Sequence, residues 1–163
     1  MTELRATLVQ LRRRVDDHFD AAIARTPAGF ACRPGCWSCC RPRFSVFEIE
    51  ALGIREALAE LEPALRERIR EQGRDASLGH CALLVEGRCS VYAQRPMICR
   101  SHGLAIVTED GQVDHCELNY VEVEVPRASV LVLEAINRPL SVMAEMHTSG
   151  GGRIGLDALA RED

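Results

Sequence analysis

Eight cysteines, four of them packed into residues 32–40, constrain this chain more than any other feature. The segment Cys32-Arg33-Pro34-Gly35-Cys36-Trp37-Ser38-Cys39-Cys40, with Pro42 just beyond, places Pro and Gly where a regular helix or strand tolerates neither. Its backbone must turn irregularly. Gaps of two and three residues let a tightly turning chain bring several sulfurs to about 2.3 Å from one metal ion. Cys39 and Cys40 are adjacent and their side chains diverge, so they serve two metals or one lies outside the ligand set. A second group, Cys81-x7-Cys89-x9-Cys99 with Cys116 further on, puts Cys81 and Cys89 on either side of Glu86-Gly87. A hairpin there returns both sulfurs to one place. The ordinary alternative for a lone cysteine is a small buried hydrophobe, a role that suits Cys116 best and the 36–40 group least.

The compartment decides how such thiols are used. The N-terminus MTELRATLVQLRRRVDDHF has no apolar core of the kind a secretory signal carries. No run approaches the roughly 18 apolar residues of a membrane span. The expected location is the cytoplasm, where reducing conditions disfavour disulfides, so metal is the better reading of eight thiols. There is no Lys at all, an Arg bias that reads as a GC-rich bacterial genome. The formal charge of -4, with Arg spread among Asp and Glu, argues against nucleic-acid binding.

A chain of 163 residues with 47% hydrophobic but only 4% aromatic side chains builds a core of Leu, Ile, Val and Ala. Leu4, Leu8, Leu11, Val15, Phe19 and Ile23 make a stripe that predicts a helix over 2–25. Glu3, Arg12, Arg13, Asp16, Asp17 and Asp20 fall on its solvent face. The stripe packs on the chain's own core or on a second copy, so a homodimer through this helix is one expectation. Ser45 and Glu48 have capping-box spacing and open a helix to about residue 60. Pro63 opens another, to about residue 72, with Gly73 as its stop. Residues 81–92 read as two short strands, and residues 95–102 as a compact turn or short helix. Residues 104–107 and 112–113 pair around Asp110-Gly111. Val121, Val123 and Val125 alternate with glutamates as a strand does. A helix follows over 127–147, with a break at Pro139. The fold expected is mainly α (α+β), a small helical domain with short β-hairpins around a cysteine-rich metal-binding centre at 30–116. It forms one domain over 1–149, followed over 150–163 by a flexible glycine joint and a short terminal helix.

The ordered motifs Cys32-x3-Cys36-x2-Cys39-Cys40, Cys81-x-Leu83, Gly87-Arg88-Cys89-Ser90-Val91-Tyr92 and Arg95-Pro96-x2-Cys99-Arg100 resemble the CxxCxxCC family of zinc- or iron-chelating proteins, often labelled Fe–S-cluster-containing. The likeness runs from about Phe30 to Cys116 and gives all eight cysteines a place. It implies that Cys32, Cys36, Cys39, Cys40, Cys81, Cys89, Cys99 and Cys116 are metal ligands. The radical S-adenosylmethionine enzymes share the Cys32-x3-Cys36-x2-Cys39 spacing, but they resemble barrels of repeated βα units, which this sequence does not contain.

Other residues fit a metal centre. Arg95 and Arg100 can donate to thiolates or pair with Glu48. His80, His102 and His115 are candidate nitrogen ligands, against the commoner role of a lone surface or capping His. Trp37 reads first as hydrophobic cover. Eight thiols make two tetrahedral zinc sites or two four-cysteine clusters. Adjacent cysteines and the surrounding Arg favour iron–sulfur slightly. No catalytic acid–base pair or phosphate loop stands out. The expected role is a structural, carrier or electron-transfer metal protein with an unknown protein partner. The alternative is a cluster-dependent oxidoreductase with an open metal position.

Overall fold

The N-terminal stripe forms one helix, α1 (Thr2–Arg25), in a computed structural model that describes residues 2–33, 35–41, 43–108 and 110–162. Pro34 and Pro42, the breakers read from the sequence, lie outside them. The fold is mainly α with short strands, as the sequence pattern implies. Where the sequence suggests one domain closed by residue 149, contacts divide the chain into two compact units. No described helix is long and apolar enough to cross a membrane.

Unit 1 comprises residues 1–33 and 97–143. Leu8, Leu11 and Val15 of α1 are buried within it, so the chain itself covers the stripe. Two residues assigned to the solvent face do not lie there. Arg12 is buried, and Asp16 accepts a salt bridge from buried Arg100 on α4 (Met97–Ser101). Burial of α4 against α1 brings that cation to the helix face and draws the carboxylate inward.

The sheet of unit 1 has the order β5-β4-β6. β4 (Ala105–Val107) pairs antiparallel with β5 (Val113–Asp114) across the expected turn at Asp110-Gly111. β6 (Val130–Val132) pairs parallel with β4, Ala105 opposite Val130 and Val107 opposite Val132. This corrects the helix read from residue 127. The β-branched Val130-Leu131-Val132 run fills the open edge of β4, and long-range pairing overrides helical periodicity. Helix α5 starts only at Glu134 and ends at His147. Pro139 lies inside α5 without ending it. Among the described residues, 121–125 form no strand.

Unit 2 comprises residues 34–96 and 144–163. β1 (Ser45–Phe47) pairs antiparallel with β7 (Arg153–Gly155), which draws the C-terminal segment into this unit. α2 (Glu48–Ala59), α3 (Pro63–Arg74) and α6 (Leu156–Arg161) bury Ile54, Ile69 and Leu159 with Val46 and Leu83. The cap of α2 differs from the one read in the sequence. Ser45 lies in β1, where its hydroxyl accepts from Arg153 Nε, and Glu50 reaches back to the Phe47 N–H. Gly73 does not stop α3 either, because the helix runs on to Arg74. A Cβ at 73 would stand 3.0 Å from Ala160 Cβ and 3.0 Å from the Asp157 carbonyl oxygen, so glycine permits close packing of α3 on α6. The hairpin of β2 (Leu84–Val85) and β3 (Arg88–Cys89) turns at Glu86 and Gly87, whose φ of 52° and 73° are those of a two-residue hairpin turn. Gln72 Nε2 ties it to α3 by donating to the carbonyls of Ala82 at 2.8 Å and Leu84 at 3.0 Å.

Candidate metal centre

Five of the cysteines, Cys36, Cys39, Cys40, Cys81 and Cys89, belong to unit 2, and Cys32, Cys99 and Cys116 belong to unit 1. The unit boundary thus falls within the first sequence group, between Cys32 and Cys36. In the second group, Cys81 and Cys89 belong to unit 2 and Cys99 and Cys116 to unit 1. All eight are thiols, none in a disulfide.

In unit 2 the irregular 35–41 segment ends in a 3-10 turn, Ser38–Cys40, and meets the hairpin through backbone. The Cys81 N–H donates to the Cys40 carbonyl at 2.6 Å. Cys89, at the end of β3, is in register with Leu84. Its thiol is within electrostatic reach of the Cys81 and Cys39 thiols and of the Arg95 guanidinium. The backbone N–H groups two residues on, Leu83 for Cys81 and Val91 for Cys89, act to lower both thiols. Burial outweighs these donors. It pushes the Cys81 thiol up to about 11 and raises that of Cys89. Both sulfurs are therefore protonated at neutral pH without metal, and ligation has to expel the protons. Trp37 lies across the hairpin turn, its ring 3.8 Å from the Cβ position of Gly87. It makes an edge contact with His80, and Arg41 sits 5.7 Å from its ring centre.

In unit 1 the cysteines sit on three separate segments. Cys32 follows the short 3-10 turn Pro27–Gly29, Cys99 is on α4, and Cys116 follows β5. Sequence reasoning passed over the residue that joins them. Asn119, wholly buried, bonds Ala31, Gly103 and Cys116, and Tyr120 beside it donates its N–H to the Gly29 carbonyl at 2.7 Å. Tyr120 stacks edge-on with Phe30 and His115. An Asn three residues after the last cysteine is the sequence signal, but Asn in a loop reads equally as a turn residue.

The remaining candidates are placed as follows. Glu48 pairs with Arg55 at 2.8 Å rather than with Arg95 or Arg100. Arg95 lies over the Tyr92 ring at 4.2 Å and Arg100 bonds Asp16. His80, His102 and His115 each place Nδ1 on a backbone carbonyl, that of Cys81, Ile98 and Cys116. A carbonyl only accepts, so Nδ1 carries the proton. In neutral His80 and His115 the lone pair then lies on Nε2, as in a metal-binding imidazole.

Among the described residues, no three His, Cys, Asp or Glu side chains already stand together as a set that could hold an ion. The donor chemistry nonetheless fits a soft metal. Two half-buried thiols with amides acting on them, a third thiol in electrostatic reach and a flanking guanidinium are what clustered thiolates need. A small α+β scaffold bearing thiols in this arrangement is that of a cysteine-rich metal-binding protein. The chain belongs to the CxxCxxCC family, described as "Putative zinc- or iron-chelating domain", whose model matches residues 31–118 and so spans all eight cysteines. No curated protein and no solved structure matches it.

Proposed function

We propose that this chain is a cytoplasmic metal protein that holds iron, as an iron–sulfur cluster, through its cysteine thiolates, in a structural, carrier or electron-transfer role. Zinc is the competing ion. The observation that carries the reading is the Cys89 thiol within electrostatic reach of the Cys81 and Cys39 thiols, with the Leu83 and Val91 amides and the Arg95 guanidinium acting on the hairpin thiols. Such donors offset thiolate charge and fix ligand direction. When bound, a cluster supplies one-electron chemistry. The chain's part is then to orient sulfur through Leu83 and Val91, to place the Arg95 charge beside Cys89, and to cover the hairpin turn with Trp37. The adjacency of Cys39 and Cys40 and the Arg95 guanidinium beside Cys89 support iron.

The test is metal and sulfide analysis with an absorption spectrum of anaerobically purified protein. Iron with matching sulfide and a coloured protein is the expected result. A colourless protein with stoichiometric zinc would sink the iron assignment. Replacing Cys81 and Cys89 by Ser should remove metal, and unchanged metal content would refute the ligand assignment itself.

A further inference from the structure

Asn119 is buried and polar, and belongs to unit 1 with Cys32, Cys99 and Cys116. A buried carboxamide has to find partners for its oxygen and both its hydrogens. Oδ1 accepts the Ala31 N–H at 2.9 Å, one residue before Cys32. Nδ2 donates to the Gly103 carbonyl at 2.7 Å, four residues after Cys99. The backbone N–H donates to the Cys116 carbonyl at 2.8 Å. One side chain and its own amide thus fasten the three segments that carry Cys32, Cys99 and Cys116.

The carboxamide also reaches sulfur. Nδ2 is 3.5 Å from Cys32 Sγ, within hydrogen-bond range for sulfur. The same sulfur is 3.8 Å from Oδ1. A thiol can donate weakly to Oδ1, whereas a ligated thiolate can only accept, and Nδ2–H is the nearer donor. The room for this sulfur comes from Gly103. Its φ is +97°, and a Cβ there would stand 2.9 Å from Cys32 Sγ and 3.4 Å from Asn119 Nδ2. Glycine supplies both the backbone conformation and the space. The sulfur therefore has a cradle of one amide donor and one bare α-carbon, while the other side of Cys32 is exposed to solvent.

We propose that Asn119 is a positioning residue of the metal centre, donating Nδ2–H to the Cys32 thiolate while it holds the Cys32, Cys99 and Cys116 segments in place. This rests on the metal reading above and adds a named donor to it. Removal of such a donor typically costs 10–100-fold in metal affinity. A purely structural Asn119 would lower metal retention whether or not residue 32 carries a sulfur.

A double-mutant cycle separates the two. Zn2+ and Co2+ affinities of the full chain are measured against a chromophoric chelator, anaerobically, for wild type, Asn119→Ala, Cys32→Ser and the double variant. Asn119→Ala should weaken binding by about 10–100-fold when Cys32 is present and by no more than about twofold in the Cys32→Ser background. Equal losses in both backgrounds, or none in either, would overturn the proposal while leaving the metal reading intact. A wild-type chain that takes up neither ion overturns both. If Asn119→Ala does not fold, the unmutated protein decides. In 15N-labelled chain the Asn119 side-chain amide protons should shift when Zn2+ is added, and stay put in Cys32→Ser. An amide that does not respond in wild type overturns the proposal.

Discussion

Raising the pH on the metal-free chain should reveal the burial of Cys81. Desolvation pushes that thiol from 9.0 to about 11. The folded chain keeps this proton after the unfolded chain has lost it. Stability from the group is thus fully present below pH 9.0 and is lost as the pH rises towards 11. The gap, 11 − 9 = 2 units, corresponds to on the order of 3 kcal/mol, a large share of the 5–15 kcal/mol that holds a typical domain. Cys89, raised for the same reason, acts in the same direction. The assay is urea unfolding of chelator-treated, reduced protein at about pH 8 and pH 11. Cys81→Ser is the control, because a serine hydroxyl does not ionise in this range. All groups other than residue 81 are common to both chains and cancel in the difference. Wild type should lose roughly 2 kcal/mol more than the variant across the interval. Equal losses would refute the idea that the Cys81 sulfur is held in a desolvated site. The same protonation makes metal uptake release protons, so affinity should climb about tenfold per pH unit for each such thiol below its pKa.

Further outcomes test the packing around the centre. Gly73→Val should destabilise the chain by roughly 1–3 kcal/mol in urea unfolding, because its Cβ meets Ala160 and the Asp157 carbonyl at 3.0 Å. Asp16→Asn removes the carboxylate from a guanidinium whose side chain is 7% exposed, and should cost about 1–3 kcal/mol by the same measurement. Arg55→Ala breaks pairs with Glu48 and Glu162 that remain partly solvated, so each should contribute only about 0.2–1 kcal/mol, and the difference from wild type should shrink in 1 M salt.

Much of the local structure was legible. The α1 stripe spells out its helix to the residue, and the Glu86-Gly87 and Asp110-Gly111 turns mark the β2–β3 and β4–β5 pairings. These signals are short-range, carried by neighbours three to four apart on a helix or two apart on a strand. The misreadings share a cause. Ser45 looks like a cap until β7 claims it, Val130–Val132 looks helical until β4 offers an edge, and Gly73 looks like a stop until α6 packs on it. Each outcome depends on a partner far along the chain, and periodicity within a window carries no record of that partner.

The cysteines divide in the same way. Residue type and spacing alone determined that thiols cluster in irregular backbone and that the chain belongs with metal chelators. That follows because the need for several sulfurs within a few ångströms of one ion is written as short gaps. Which sulfurs keep company was decided by the fold. Cys36, Cys39, Cys40, Cys81 and Cys89 belong to unit 2, where the Cys89 thiol is within electrostatic reach of those of Cys81 and Cys39, and Cys32, Cys99 and Cys116 belong to unit 1. The amides of Leu83 and Val91 and the carboxamide of Asn119 were equally invisible beforehand, since a hydrogen-bond donor acquires its acceptor only when the chain has closed around it.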